Sequence, residues 1–126
     1  MPLVLIIDDD AQMRATMRRI LTSAGHRVVE AADGREGLAA FQSHAPDVVV
    51  TDLVMPEKEG IETIIELRRA NHRTRILAVS GSLVRGDLNF LAMAGELGAD
   101  LVLEKPFRAA QLQEAVNSLA AAARPD

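Results

Sequence analysis

Residues 3–10 read "LVLIIDDD": five aliphatic residues break directly into three consecutive carboxylates, Asp8, Asp9 and Asp10. An unbroken aliphatic run bounded by a sharp polar stop is the pattern of a short strand buried on both faces, because a half-exposed strand would alternate. Working outward from "LVLIID" (3–8), the runs "RVVEA" (27–31), "DVVVT" (47–51), "RILAVS" (75–80) and "LVLE" (101–104) have the same character. Between them lie longer segments with helical spacing. Met13, Met17, Ile20 and Leu21 fall on one helical face, and Gly25 follows where that helix stops. Asp33 starts "GREGLAAFQSH", Ile61, Ile64, Ile65 and Arg68 mark a third helix, "DLNFLAMAGELG" a fourth, and Leu112, Val116 and Leu119 stripe a fifth. Strand and helix alternating in this way predict an α/β fold, a parallel sheet with helices on both faces.

The chain has 126 residues, a length that suits one domain, with a core expected from about residue 3 to 121 and no repeat or linker. Hydrophobic residues make up 48% and aromatic ones only 2%, so the core is aliphatic. With no cysteine there is no disulfide, thiolate metal site or Cys nucleophile, and a reducing, cytoplasmic setting is expected. No run reaches the roughly 18 apolar residues of a membrane span, so a soluble protein without membrane insertion is expected. A net charge of −4 argues against direct binding of nucleic acid. "RRANHRTR" (68–75) reads as a solvated helix end whose cations complement the helix dipole. His26, His44 and His72 have no ligand spacing and read as surface residues. "GSLVRG" (81–86) lacks the Gly and Lys pattern of a nucleotide-binding loop.

In open parallel sheets the ligand site lies beyond the carboxyl ends of the strands. Here those ends carry Asp8 and Asp9, then Asp52, Ser80 and Lys105, so acids, a hydroxyl and an amine converge on one rim. Carboxylates in contact repel by several kcal/mol at an effective dielectric of about 20, and such a cluster needs a cation. An all-oxygen site with few acids suits Mg²⁺, which keeps several waters and takes one or two protein carboxylates plus a phosphate. For Asp10 the simpler reading is a helix N-cap. Asp52, beside a metal, has the chemistry of a nucleophile toward phosphorus, with Lys105 as a point charge and Ser80 as a hydroxyl donor.

With these residues in place, "VLIIDDD", "PDVVVTDLVMP", "LAVSG" and "GADLVLEKPF" occur in an order and at intervals that closely resemble a receiver domain of bacterial response regulators, over residues 3 to about 121. The resemblance implies a flavodoxin-like (βα)5 fold with a doubly wound five-stranded sheet of order 2-1-3-4-5. It implies that Asp52 is the phosphoacceptor, served by a phosphohistidine on a sensor histidine kinase or a histidine phosphotransfer protein. Asp8, Asp9, the Asp52 carboxylate and the backbone carbonyl of Val54 would bind Mg²⁺. Ser80 would hydrogen-bond the phosphoryl group, Lys105 would pair with it, and the Lys105–Pro106 bond becomes a cis candidate. The output would be a downstream protein target, with the surface changed near the fourth helix and fifth strand. Such a domain is not an enzyme in the usual sense, although it assists its own phosphorylation and dephosphorylation.

Three departures from the family pattern stand out. Val102 occupies the place of a switching Tyr or Phe, the Ser80-to-Lys105 interval is about three residues longer than is usual in the family, and Val54 and Ser82 are small at positions that tune phosphoryl lifetime. Two other readings compete. One is a receiver-shaped scaffold that binds partners without phosphorylation. The other is a haloacid-dehalogenase-like phosphatase with Asp8 as nucleophile, against which stand Gln12 in its motif and the lack of room for a cap. With no output domain after residue 124, a stand-alone regulator is favoured over an excised receiver.

Overall fold

Alternation along the first strand, β1 (Leu3–Ile7), sorts its side chains into two cores. In the computed structural model, which describes residues 2–52, 60–70, 74–80 and 98–122, Leu5 and Ile7 face one way and Val4 and Ile6 the other. Four further strands follow, β2 (Arg27–Ala31), β3 (Val48–Asp52), β4 (Arg75–Ser80) and β5 (Leu101–Glu104). All pair in parallel in the order β2-β1-β3-β4-β5, the order implied by the family resemblance. The helices among the described residues are α1 (Ala11–Ser23), α2 (Gly34–His44), α3 (Gly60–Ala70) and α4 (Ala109–Ala122).

Leu5 and Ile7 pack with Phe41 of α2, Ile64 and Leu67 of α3, Val49, Ile76 and Ala78. Val4 and Ile6 pack with Met17 and Leu21 of α1, Leu112, Val116 and Leu119 of α4, Val50, Leu77 and Val79. These side chains are almost completely buried, and each of them larger than alanine stabilises by roughly 1.5–3 kcal/mol. The approach of α2 to β1 is so close that a Cβ on Gly37 would collide with Ile7. Glycine at position 37 is therefore a packing requirement.

The helix starts follow from their caps. Asp10 accepts from the amides of Gln12 (2.9 Å) and Met13 (3.3 Å), and Asp33 accepts from Glu36 (2.8 Å). After α1, Gly25 takes a φ of 94°, the turn expected from the sequence. The segment expected as a fourth helix, residues 87–98, falls almost entirely outside the described residues, as do Val54, Ser82 and the rest of "GSLVRG" (81–86).

Several expectations are corrected. Strand β3 ends at Asp52, not Thr51, because Asp52 pairs with Val79 and closes the ladder. Strand β1 ends at Ile7, although the Asp8 amide still donates to Ala31 O (3.1 Å). His26 is buried, not at the surface: its amide bonds Leu21 O, and its Nε2 lies 2.7 Å from Asn117 Oδ1 of α4. Within "RRANHRTR", Arg68 and Arg75 are ion-paired to Asp100 rather than solvated, because the sheet order brings the start of β5 beside the start of β4. On the edge strand, Leu101 and Val102 are exposed.

Candidate metal and phosphoacceptor site

The three consecutive acids divide their work as the chain turns from β1 into α1. Asp10 caps the helix. Asp8 is fully buried, and its Oδ1 accepts the amide of Asp10 at 2.9 Å, which folds the turn back on itself. Asp9, between them, is exposed. Asp52, the last residue of β3, is also buried, and the parallel pairing of β1 with β3 sets its carboxylate beside those of Asp8 and Asp9. Carboxylate oxygens of Asp8, Asp9 and Asp52 all lie within 4.8 Å of one another.

Lys105 enters from the end of β5. Its amide donates to Ser80 O at 2.8 Å, and the Lys105–Pro106 bond is cis, as the resemblance implies. Its Nζ reaches Asp52 Oδ2 at 3.1 Å and Asp8 Oδ2 at 3.4 Å. Ser80, at the end of β4, is buried on the same rim. The structure thus brings Asp8, Asp9, Asp52, Ser80 and Lys105 together, while Val54 lies outside the described residues.

Burial pushes the Asp8 carboxyl above its ordinary range, and repulsion from Asp52 adds to this. The Asp10 amide and Lys105 offset it only in part. Burial alone would lower Lys105, but attraction to Asp52 and Asp8 outweighs it and raises the ammonium above its ordinary value. Among the described residues three carboxylates face one ammonium, an excess of negative charge even with Lys105 in place. The donor set is all oxygen and includes a buried carboxyl whose charged form is disfavoured. Both properties fit a hard divalent cation of the Mg²⁺ type, which would supply the missing positive charge.

Three residues of this region, Arg14, Arg18 and Glu30, escape the sequence reading. Arg14 Nη1 donates to the Asp8 carbonyl at 2.7 Å, and Arg14 Nε donates to Glu30 Oε1 at 3.2 Å. Arg18 Nη1 takes the other oxygen of Glu30 at 2.7 Å. The available signal was an Arg pair at i and i+4 on α1 and a single acid in the otherwise apolar centre of "RVVEA".

Comparison with known proteins agrees with this geometry. Residues 4–117 match the family described as the response regulator receiver domain. The chain is 35% identical over 117 residues to the chemotaxis protein CheY of Thermotoga maritima, covering 92% of this chain and 95% of that protein. It is 35% identical over 123 residues to the response regulator MprA of Mycolicibacterium vanbaalenii, covering 98% of this chain but 52% of that longer protein. The crystal structure of a response regulator receiver domain protein from Clostridium thermocellum superposes with a TM-score of 0.90 at 28% identity, covering 97% of this chain and 96% of the other.

Proposed function

The chain belongs to the response regulator receiver domain family, and on that footing we propose that Asp52 is its phosphoacceptor in two-component signalling. The observation that carries this is the sharing of one ammonium, Lys105 Nζ, by Asp52 and Asp8, with Asp9 within reach of both. Receiver domains are signalling domains, and the donor of the phosphoryl group is a phosphohistidine on a sensor histidine kinase or a histidine phosphotransfer protein. An Asp52 carboxylate oxygen forms the new O–P bond as the N–P bond of the phosphohistidine breaks, and the electron pair returns to the imidazole nitrogen. Asp8, Asp9 and Asp52, with the Val54 carbonyl, would hold Mg²⁺, which would supply positive charge to the transferring oxygens. Lys105 then pairs with the phosphoryl group and Ser80 donates to it. By the same groups the domain assists its own phosphorylation and dephosphorylation. Its setting is the cytoplasm, and its output is a downstream protein target.

Incubation with acetyl phosphate or phosphoramidate and Mg²⁺, followed by intact-mass measurement, tests the assignment. One phosphoryl group should be added to the parent and none to Asp52→Asn. Failure of every donor, with no Mg²⁺ uptake, would leave a receiver-shaped binding scaffold. Turnover of a generic phosphomonoester that survives Asp52→Ala but not Asp8→Asn would move the nucleophile to Asp8.

A further inference from the structure

Both metal-ligand candidates from the β1 end, Asp8 and Asp9, hang on one peptide unit, and the carbonyl of that unit belongs to Asp8. It accepts a short charge-assisted bond, 2.7 Å, from Arg14 Nη1. The reach is natural for a helix, since Arg14 begins the second turn of α1, with its amide on Asp10 O at 2.9 Å. Helical side chains lean toward the amino terminus. The charge is not there for the helix, because a cation near an amino-terminal turn opposes the dipole. Nor is Arg14 a solvated residue, as its side chain is only 19% exposed.

We propose that Arg14, locked by Glu30, is a positioning residue for the acid pair: its guanidinium pins the Asp8 carbonyl and so holds the Asp8–Asp9 peptide with both carboxylates toward Asp52. Glu30 does two things in this arrangement. It takes Arg14 Nε at 3.2 Å, fixing the guanidinium plane, and its charge balances Arg14, so that a bare cation does not compete for the acids that Mg²⁺ needs. Arg18, 2.7 Å from the second Glu30 oxygen, holds the carboxylate in turn. The strap therefore runs from edge strand β2 through α1 to the rim, where the Asp8 amide is already tied to Ala31 O. A lysine at position 14 could reach one acceptor but could not span carbonyl and carboxylate with fixed geometry.

The inference rests on the proposed Mg²⁺ role of Asp8 and Asp9, and two measurements on the whole chain separate the two ideas. Mg²⁺ titration of Arg14→Ala should show affinity weakened roughly tenfold or more, the scale of losing an outer-shell partner, with Arg14→Lys between it and the parent. In metal-free protein the amide of Asp10, bonded to Asp8 Oδ1, should exchange hydrogen several times faster in Arg14→Ala than in the parent. A variant with a lower melting temperature but Mg²⁺ affinity within about twofold of the parent would make Arg14 merely structural and overturn the proposal. If the parent itself takes up no Mg²⁺, the proposed function fails. The exchange measurement then still decides the strap: unchanged exchange at Asp9 and Asp10 overturns it, and acceleration confined to that turn supports it. Should Arg14→Ala not fold, Glu30→Gln, which keeps Arg14 and removes its charged anchor, is read in the same two measurements.

Discussion

The two ends of the sheet are both charged, but their donors and acceptors are in opposite proportion. At the amino ends of β4 and β5, Asp100 receives Arg68 (3.0 Å), Arg75 (3.4 Å) and the amide of Ile76 (2.8 Å). Arg68 further donates to the carbonyls of Thr74 and Gly98, so two guanidinium groups meet at a single carboxylate. At the carboxyl ends, Asp8 and Asp52 share Lys105, and Asp9 adds further negative charge. The first arrangement fastens two strand starts and a helix end. The second, among the described residues, has more carboxylates than cations. A charge cluster is therefore better read by its balance of donors and acceptors than by its size.

The largest expected effect breaks the closed end. Asp100→Ala leaves two partly buried guanidinium groups and the Ile76 amide without their shared acceptor, and should destabilise by about 2–3 kcal/mol in urea or thermal unfolding. Because that end is remote from the rim, the Mg²⁺ affinity of the folded variant should equal that of the parent. A loss below about 0.5 kcal/mol would mean that Asp100 is no more than a screened surface acid.

Asp8→Asn should act in the opposite direction. The folded protein disfavours the ionised carboxyl because of its burial and of Asp52, so the neutral form is the stable partner of the fold. A carboxyl raised in the folded state contributes stability that is fully present below the ordinary value near pH 4, and this is lost as pH rises through the raised value. Wherever the parent's carboxyl is ionised, that contribution is gone. The asparagine variant should then melt higher without metal, by on the order of 1 kcal/mol, the scale of one partly screened charge contact. Millimolar Mg²⁺ should stabilise the parent by mass action and the variant far less, closing or reversing the gap. An Asp8→Asn protein that melts lower without metal would show that Lys105 already balances the rim.

Much of this contrast was legible in the sequence. The rim was readable because β1, β3 and β5 are short aliphatic runs with a defined polar end, so their ends were placed to within one residue by pattern alone. Asp10 as a cap was readable from its place ahead of a helical stripe. The closed end was not, because Asp100 meets Arg68 and Arg75 only once the sheet order places β5 beside β4. His26 was misread for a similar reason. Nothing in a turn sequence announces that α4 will close over it and bring Asn117 to 2.7 Å. Arg14 and Glu30, 16 positions apart, looked like ordinary charges on an amphipathic helix and an edge strand.

Glu30 gives the smallest effect and the sharpest test of what balance means. Its hydrogen bonds with Arg18 first and then Arg14 hold its carboxyl below its ordinary value, against a desolvation cost that works the other way. A carboxyl depressed in the folded state contributes stability that is present above the ordinary value and lost as pH falls through the depressed one. Glu30→Gln should therefore be less stable than the parent by about 0.5–1 kcal/mol at pH 7, a modest figure because Arg18 is half exposed and the pair is screened by solvent. The glutamine keeps the shape and one acceptor, so charge is the main thing removed. As pH falls through the depressed value the parent's carboxyl takes up its proton, and the two melting curves should converge. A gap that stays constant to pH 3 would assign the effect to packing, and Glu30 would then join the closed end as a structural fastener rather than the rim as its counterweight.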